Sequence, residues 1–439
     1  MNNIHKHRSV LVMVMMTLGL SPLSASAVSL HEELRDMLNQ HPGVKSARSI
    51  QRAADWDVES ATDSYYPVFS ISGESGRSRY EDPNTTFGST ERFDKTRVTY
   101  EVTQNLFRGF RDEAIVEQSK AERNIANAQA NKFVQDKLYE GIVVYVDALR
   151  EKELSNVVTN KVEITNKLLS IKKRARKSGS GTDIDILEAS LGIQKALDEQ
   201  LNSMAVLRQA AIQYAKLFNR PDLPEDMSKI TIPERLIPDS EDKILEAVLS
   251  NNADVANAKL QMDVASSIKK GAAGEYFPTL DLVGTREYDR NSEGQEGASH
   301  ENAVLLRMNW EFNLGNKTGA NVSAATERFS SAQFDYDNVL REASQNARLA
   351  YARFQNINAR QKLAKETLTI AQRIYNSRVD QKKAGKVDDT VVISAQTRML
   401  AAKYTAITTY YDAVKAAYEI AYTAGTLTPE NMNIAVSLK

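Results

Sequence analysis

Two long stretches without proline constrain the fold of this chain more than any other feature of its sequence. One runs from Gly109 to Gly179 and the other from Gly315 to Gly385, 70 residues each. A helix rises 1.5 Å per residue, so each stretch predicts a helix of roughly 100 Å. Such a helix is several times longer than usual and has no wide apolar face here. We therefore expect it to need partner helices along its whole length.

The two stretches belong to an internal repeat with an offset of 206 residues. The paired landmarks are Gly109 with Gly315, Gly179 with Gly385, and Asn219 with Gly425. Upstream, each copy has amphipathic helical sequence that ends in an aromatic–proline step, Tyr66-Pro67 or Phe277-Pro278. Equal spacing of three landmarks predicts two copies of one structural unit.

Each long stretch ends in a basic run, a glycine and an acidic run. The first reads KKRARKSGSGTDIDILEA from Lys172. Glycine favours the left-handed conformation that ends a helix, and cations suit a helix C-terminus. Thr182 or Asp183 is then expected to cap the returning helix. The sequence predicts two antiparallel hairpins with tips at about 177–185 and 383–391. The expected tip residues are Gly179, Gly181, Asp183, Asp185, Glu188, Gly385, Asp388 and Asp389.

The second long stretch carries a narrow apolar seam. From Leu340 to Arg378, apolar and often small residues recur at alternating intervals of three and four. This spacing is typical of a coiled coil with closely approaching helices. Taken alone, the seam is also compatible with a soluble coiled-coil rod.

Four segments alternate between apolar and polar residues, which predicts strands with two unlike faces. They lie at about 67–80, 93–107, 278–289 and 301–314. Two interpretations are possible: the segments form hairpins of a soluble sheet, or they form strands of an outer-membrane barrel. Four strands cannot close a barrel, so the second reading requires an oligomer. Its lumen-facing residues would include Thr99, Glu101, Asp281, Arg307, Asn309 and Glu311.

The N-terminus predicts export. Basic residues precede an apolar run from Val10 to Leu20, and Ala25-Ser26-Ala27 has the small residues of a cleavage site. The apolar run is shorter than the roughly 20 residues that span a bilayer. We expect residues 1–27 to be a cleaved signal peptide. The sequence has no cysteine, which excludes disulfides and the cysteine that a lipid-anchored mature N-terminus requires.

Composition and motifs argue against catalysis and nucleic-acid binding. The net charge of −1 gives no electrostatic footprint for nucleic acid. Outside the predicted signal, the only histidines are His31, His41 and His300, in unrelated contexts. The sequence has no nucleophile elbow, phosphate loop or paired-histidine metal spacing. We predict neither an enzyme nor a bound cofactor or metal.

Together, the duplicated halves, the aromatic–proline steps, the strand-to-helix steps at Gly109 and Gly315, and the tips GSGTDIDILEA and AGKVDDTVVISAQ resemble the TolC family of outer-membrane efflux and secretion proteins. The resemblance covers essentially the whole mature chain. It implies a mainly α fold with a membrane β-barrel, in which each subunit of a homotrimer gives four strands to a 12-stranded barrel. It also implies a helical tunnel through the periplasm of a Gram-negative bacterium, whose tips meet a membrane-fusion adaptor on an inner-membrane pump.

The resemblance implies two functional branches. One is type I secretion with an ABC transporter, and the other is multidrug efflux with an RND pump. The missing cysteine favours the first, because many drug-efflux members are lipidated. A soluble periplasmic scaffold would leave the strands unexplained, and a membrane-fusion adaptor would have one helical hairpin instead of two. The expected organisation is a signal at 1–27, repeats at 28–220 and 241–425, a belt-forming linker at 221–240, and a tail at 426–439.

For the tips, the resemblance implies an acid six residues after the first glycine, which Asp185 matches. Glu188 lies on the same helix face. Val391 and Ser394 replace the aspartates that the family carries at its second tip. We hypothesise that Asp185 and Glu188 pair with basic residues of a neighbouring tip and hold the mouth shut. Asp388 and Asp389 could line this mouth or only cap a helix.

Overall fold

The protein is described by a computed structural model that covers residues 28–81, 90–291 and 296–435. The predicted signal peptide at 1–27 and the end of the predicted tail at 436–439 lie outside the described residues.

Both copies have the same order of elements, as the repeat predicts. The first contains α1 (Leu30–Gln40), α2 (Pro42–Thr62), β1 (Val68–Glu81), β2 (Thr90–Phe107), α3 (Arg111–Lys177) and α4 (Asp183–Phe218). The second contains α5 (Glu241–Asn251), α6 (Ala253–Ala273), β3 (Thr279–Arg290), β4 (Ala298–Asn309), α7 (Lys317–Lys383) and α8 (Asp389–Thr423). Helices α3 and α7 have 67 residues each, which corresponds to about 100 Å.

The four strands form one antiparallel sheet in the order β1-β2-β3-β4. Strands β2 and β3 pair from Thr96 opposite Arg290 to Phe107 opposite Leu280, with a bulge between Asn105 and Phe107. This pairing joins the two copies. Within the described chain, β1 and β4 each have one edge without a partner strand.

Strand β4 ends earlier than the alternation predicts. Its last pair is Asn309 opposite Thr279, and Pro278 comes next on the partner side. Proline has no N–H to continue the ladder. Beyond this point the Trp310 indole donates to the Tyr276 carbonyl at 3.2 Å. The prediction of Glu311 as a strand residue was therefore wrong, because Glu311 lies in the connection to α7.

The helices pack as a row, since α3 contacts α4 and α8 while α8 contacts α7. Small residues allow close packing in this row. Ala343, Ala347 and Ala350 of α7 are buried against α5 and α8, where the predicted seam places them. Among the described residues, no helix combines the length and the apolar character needed to cross a membrane.

The main core lies midway along the helices. Leu34 and Leu38 of α1 are buried against Leu138 and Ile142 of α3. Ile230 of the linker and Leu427 of the tail join the same core. At its edge, the Tyr145 hydroxyl donates to the carbonyls of Val28 and Ser228 at 2.8 and 2.9 Å. These contacts hold the linker against the helices.

Candidate functional site

The first hairpin tip is built by paired helix-capping motifs. Gly179 has φ +80°, and the Ser180 amide donates to the Ala175 carbonyl at 2.9 Å, which ends α3. Thr182 caps α4, because its hydroxyl accepts from the Asp185 amide while the Asp185 carboxylate accepts from the Thr182 amide. Of the two predicted caps, Thr182 is the one used.

The acids of the first tip are engaged within their own hairpin. Lys172 Nζ lies 2.7 Å from Asp185, and Arg176 Nε lies 2.8 Å from Asp183. Hydrogen bonds from Lys172 and Thr182 hold the pKa of Asp185 well below its usual range, and Arg176 lowers the pKa of Asp183. Glu188 is exposed and has no ion pair within the described chain.

The second tip repeats this construction. Gly385 has φ +71°, and the Lys386 amide donates to the Gln381 carbonyl at 2.9 Å. Asp388 accepts from the Val391 amide at 3.0 Å and caps α8. Asp389 pairs with Lys382. Both aspartates thus have structural partners in a single subunit.

The sheet gathers most of the predicted polar residues on one face. Thr99 lies opposite Glu287 and Glu101 opposite Thr285 on β3. Asp281 lies opposite Arg307 on β4, and Asn309 is two residues further. Five of the six predicted residues, Thr99, Glu101, Asp281, Arg307 and Asn309, therefore share this polar face.

Sequence reasoning missed a charged cluster on the same face. Arg97 donates to both carboxylate oxygens of Asp289, at 2.8 and 2.9 Å, and lies 3.2 Å from Glu287. The signal was available, because all three occupy polar positions of the alternation. What was missing was the β2–β3 register, which sets Arg97 opposite Asp289.

The opposite face of the sheet is apolar and exposed in a single subunit. Val304 and Leu306 of β4 are 79% and 65% accessible to solvent, and Phe69 and Ile71 of β1 are also exposed. A contiguous exposed apolar face that extends from β1 to β4 is unusual on a water-soluble monomer and marks a membrane or protein contact.

The two outer helices of the row also expose apolar stripes. On α4 the stripe contains Leu187, Leu191, Leu201 and Ile212, and Leu201 is 68% exposed. On α7 it contains Leu349, Leu363, Ile370 and Ile374, and Leu363 is 63% exposed. In both stripes the intervals are sums of threes and fours, which bring residues to one side of a helix.

A comparison with protein-family models decides the family. The model described as "Outer membrane efflux protein" matches residues 34–220 and 244–426, one segment in each copy. The chain belongs to this family. As an outer membrane efflux protein it is an outer-membrane channel, which excludes the soluble scaffold. Proteins of this family are channels and not enzymes, and they form homotrimeric ducts that work with adaptors and inner-membrane transporters.

Solved structures agree with the TolC-like fold. A membrane protein from Pseudomonas aeruginosa has a TM-score of 0.78 at 14% identity, covering 90% of this chain and 93% of its own. The outer membrane protein VceC of Vibrio cholerae has a TM-score of 0.75 at 14% identity, covering 90% and 96%. The CmeC outer membrane channel of Campylobacter jejuni has a TM-score of 0.74 at 13% identity, covering 97% and 94%. At such identities the likeness shows the fold. No curated protein matches the chain.

Proposed function

We propose that this outer membrane efflux protein is the outer-membrane duct of a type I secretion system. Three subunits would close a barrel of twelve strands, four from each. The observation that carries the proposal is the sheet itself, which has two free edges and an exposed apolar face. Unpaired strand edges are not tolerated in a bilayer, so neighbouring copies must supply the missing partners. Lipid would then cover the apolar face.

The helices support the same assembly. The apolar stripes of α4 and α7 lie on the two outer helices of the row, just as the free edges lie on the two outer strands. In a closed ring, α4 of one subunit would pack against α7 of the next. Both stripes would then be removed from water.

Within this duct the polar face of the sheet would line the lumen, with Thr99, Glu101, Asp281, Arg307 and Asn309 facing the exported substrate. The signal at 1–27 would be removed on export. The linker at 221–240 and the tail at 426–439 would form the belt around the tunnel. No cofactor, metal or nucleic acid has a role in this proposal.

The hairpin tips would contact a periplasmic membrane-fusion adaptor bound to the inner-membrane ABC transporter. The tip residues proposed for this contact are Gly179, Gly181, Asp183, Asp185, Glu188, Gly385, Asp388 and Asp389. We also propose that acids help to close the mouth. Lys172 already occupies Asp185, so Glu188 is the better placed to reach a neighbouring tip. A D185N/E188Q variant with unchanged single-channel conductance would remove both acids from the gate.

The choice of type I secretion rests on the absence of cysteine from the sequence, because many drug-efflux members of the family are lipidated on a cysteine. The duct of an RND-type multidrug efflux pump is the alternative. Deleting the gene should abolish the release of an ABC-exported polypeptide into the medium and leave the efflux of a fluorescent dye unchanged. Loss of dye efflux with normal polypeptide release would favour the RND pump instead.

A further inference from the structure

Positive charge is concentrated at the hairpin tips. Residues 167–190 contain six cationic and three acidic side chains, and the equivalent residues 373–396 contain five and three. The whole chain, in contrast, has a net charge of −1. The tip end of each subunit is therefore basic, and the rest is acidic.

Ion pairs neutralise only part of this charge. The pairs join Lys172 to Asp185, Arg176 to Asp183, Lys382 to Asp389 and Lys383 to Asp380. Lys173, Lys177 and Lys386 are exposed and have no ion pair within the described chain. These three lysines are called the basic end surface below.

The packing of α3 fixes the direction of two of these lysines. Ile171 joins a cluster with Ile393 of α8, and Lys172 and Arg176 face the acids of α4. At 100° per residue, Lys173 and Lys177 lie on the side of α3 that faces away from α8, and both are exposed. They lie one turn apart on the same side, where like charges repel. Packing within the subunit does not require them.

Helix dipoles account for only some of the tip cations. A cation stabilises the last turn of a helix, and Arg174, Arg176 and Lys177 lie in that turn of α3, whereas Lys173 lies outside it. Lys386 lies between the end of α7 and Asp388, which caps α8. Here the favourable dipole of α7 is offset by the unfavourable positive end of α8. Local helix electrostatics therefore does not explain Lys386.

The two tips form one end surface. Positive charge on Lys167 and Arg174 of the first hairpin contributes to lowering the pKa of Asp389 in the second, after the larger effect of Lys382. Such an effect requires the tips to be near each other. Lysines from both tips thus act on whatever lies beyond the end of the helices.

We propose that the basic end surface recognises an acidic partner, namely the turn of a helical hairpin that carries a surplus of aspartate and glutamate carboxylates. This inference rests on the proposed function, in which an adaptor contacts the tips. Val391 and Ser394 stand where the family carries aspartates, so the second tip has no carboxylate there to repel such a partner. Complementary charge would speed association and select the partner.

The test uses the purified full-length mature protein and three synthetic helical hairpins as probes. The hairpins are identical except beside their turns, where they carry Glu, Gln or Lys. We expect the Glu hairpin to bind roughly tenfold tighter than the Gln hairpin, and the preference to fade between about 0.05 and about 0.3 M salt. The K173E/K177E/K386E variant should lose the preference. The control variant K45E/K120E/K259E has the same change in charge at exposed lysines elsewhere and should keep it.

Equal binding of the Glu and Gln hairpins would overturn the inference. It would also be overturned if the tip variant and the control variant lost the preference for the Glu hairpin to the same extent. A tip variant that only changes the anion-to-cation permeability of the pore would also overturn it, because the lysines would then serve an anionic cargo. Conductance distinguishes the proposals. If the protein conducts but shows no preference for the Glu hairpin, only this inference is wrong. If the protein never conducts, the proposed duct is wrong whichever hairpin binds.

Discussion

At the scale of single residues, left-handed backbone positions mark the ends of the long helices. The glycines at both tips were predicted to adopt this conformation, and Gly179 and Gly385 do so. The strand-to-helix steps were harder to predict. Phe110 and Asn316 are left-handed there, although a phenylalanine rarely is. Packing explains the exception, because the Phe110 ring lies 5.3 Å from Phe107 and 5.8 Å from Phe277.

Two glycines with nearly the same φ allow a matched test of packing. Gly425 (φ +73°) lies against the Asn251 carbonyl, whereas Gly385 (φ +71°) faces open space. Gly385→Ala should cost about 1–2 kcal/mol for the left-handed conformation alone. Gly425→Ala should cost more, because its Cβ would clash with the Asn251 backbone. Thermal midpoints of the purified variants compare the two, and equal shifts would contradict this account.

Buried tyrosines should make the protein sensitive to alkali. Burial raises the pKa of Tyr145 and of Tyr418 to about 12. The unfolded chain ionises near pH 10, so it releases these protons first. Stability should be fully present below about pH 10 and fall as the pH rises towards 12. Tyrosinate absorbance and helix content, measured along the same pH titration, should show that the tyrosines ionise as the protein unfolds.

Two phenylalanine variants separate ionisation from hydrogen bonding. Tyr418→Phe should leave stability at neutral pH nearly unchanged and weaken its alkaline loss. Tyr145→Phe should also lower stability at neutral pH, since it removes the single hydroxyl proton that the Val28 and Ser228 carbonyls share. Losing this donor should cost about 1 kcal/mol. Identical alkaline profiles for wild type and Tyr418→Phe would show that burial of this hydroxyl is unimportant.

At the scale of elements, apolar periodicity and the positions of glycine and proline predicted the helices well and the sheet less well. The absence of proline set the lengths of α3 and α7, and the small-residue seam identified the buried face of α7. Alternation alone extended β4 past Asn309, because the pattern continues through Trp310 and Phe312. The strand end depends on Pro278, which directly precedes the neighbouring strand β3. Because a residue outside β4 sets the end of this strand, the sequence of β4 alone cannot predict where it ends.

The apolar stripe of α4 should lie in the contact between subunits. We expect L187Q/L201Q to leave the helix content of a subunit unchanged, because both side chains are exposed there. Each leucine should contribute about 2 kcal/mol at an interface that buries it. The variant should therefore run as a monomer on a native gel in detergent, and Lys195→Gln on the same helix should run with the wild type. A trimeric variant would exclude this stripe from the interface.

At the scale of the whole molecule, equal spacing in the two copies predicted the overall plan, and long-range contacts supplied what spacing could not. The pairing of β2 with β3 unites the copies into one sheet. The buried Glu33 of α1 lies 2.9 Å from Arg220 at the end of α4, a contact 187 residues apart in sequence. Such contacts depend on how the elements meet in space, and no local pattern encodes them.

Four strands from each of three subunits should enclose a water-filled pore, and planar-bilayer recording of the purified mature protein would detect the current through it. We expect discrete steps of ionic current, carried by a species whose native mass is that of a trimer. A monomer in detergent that leaves the lipid bilayer non-conducting would contradict it.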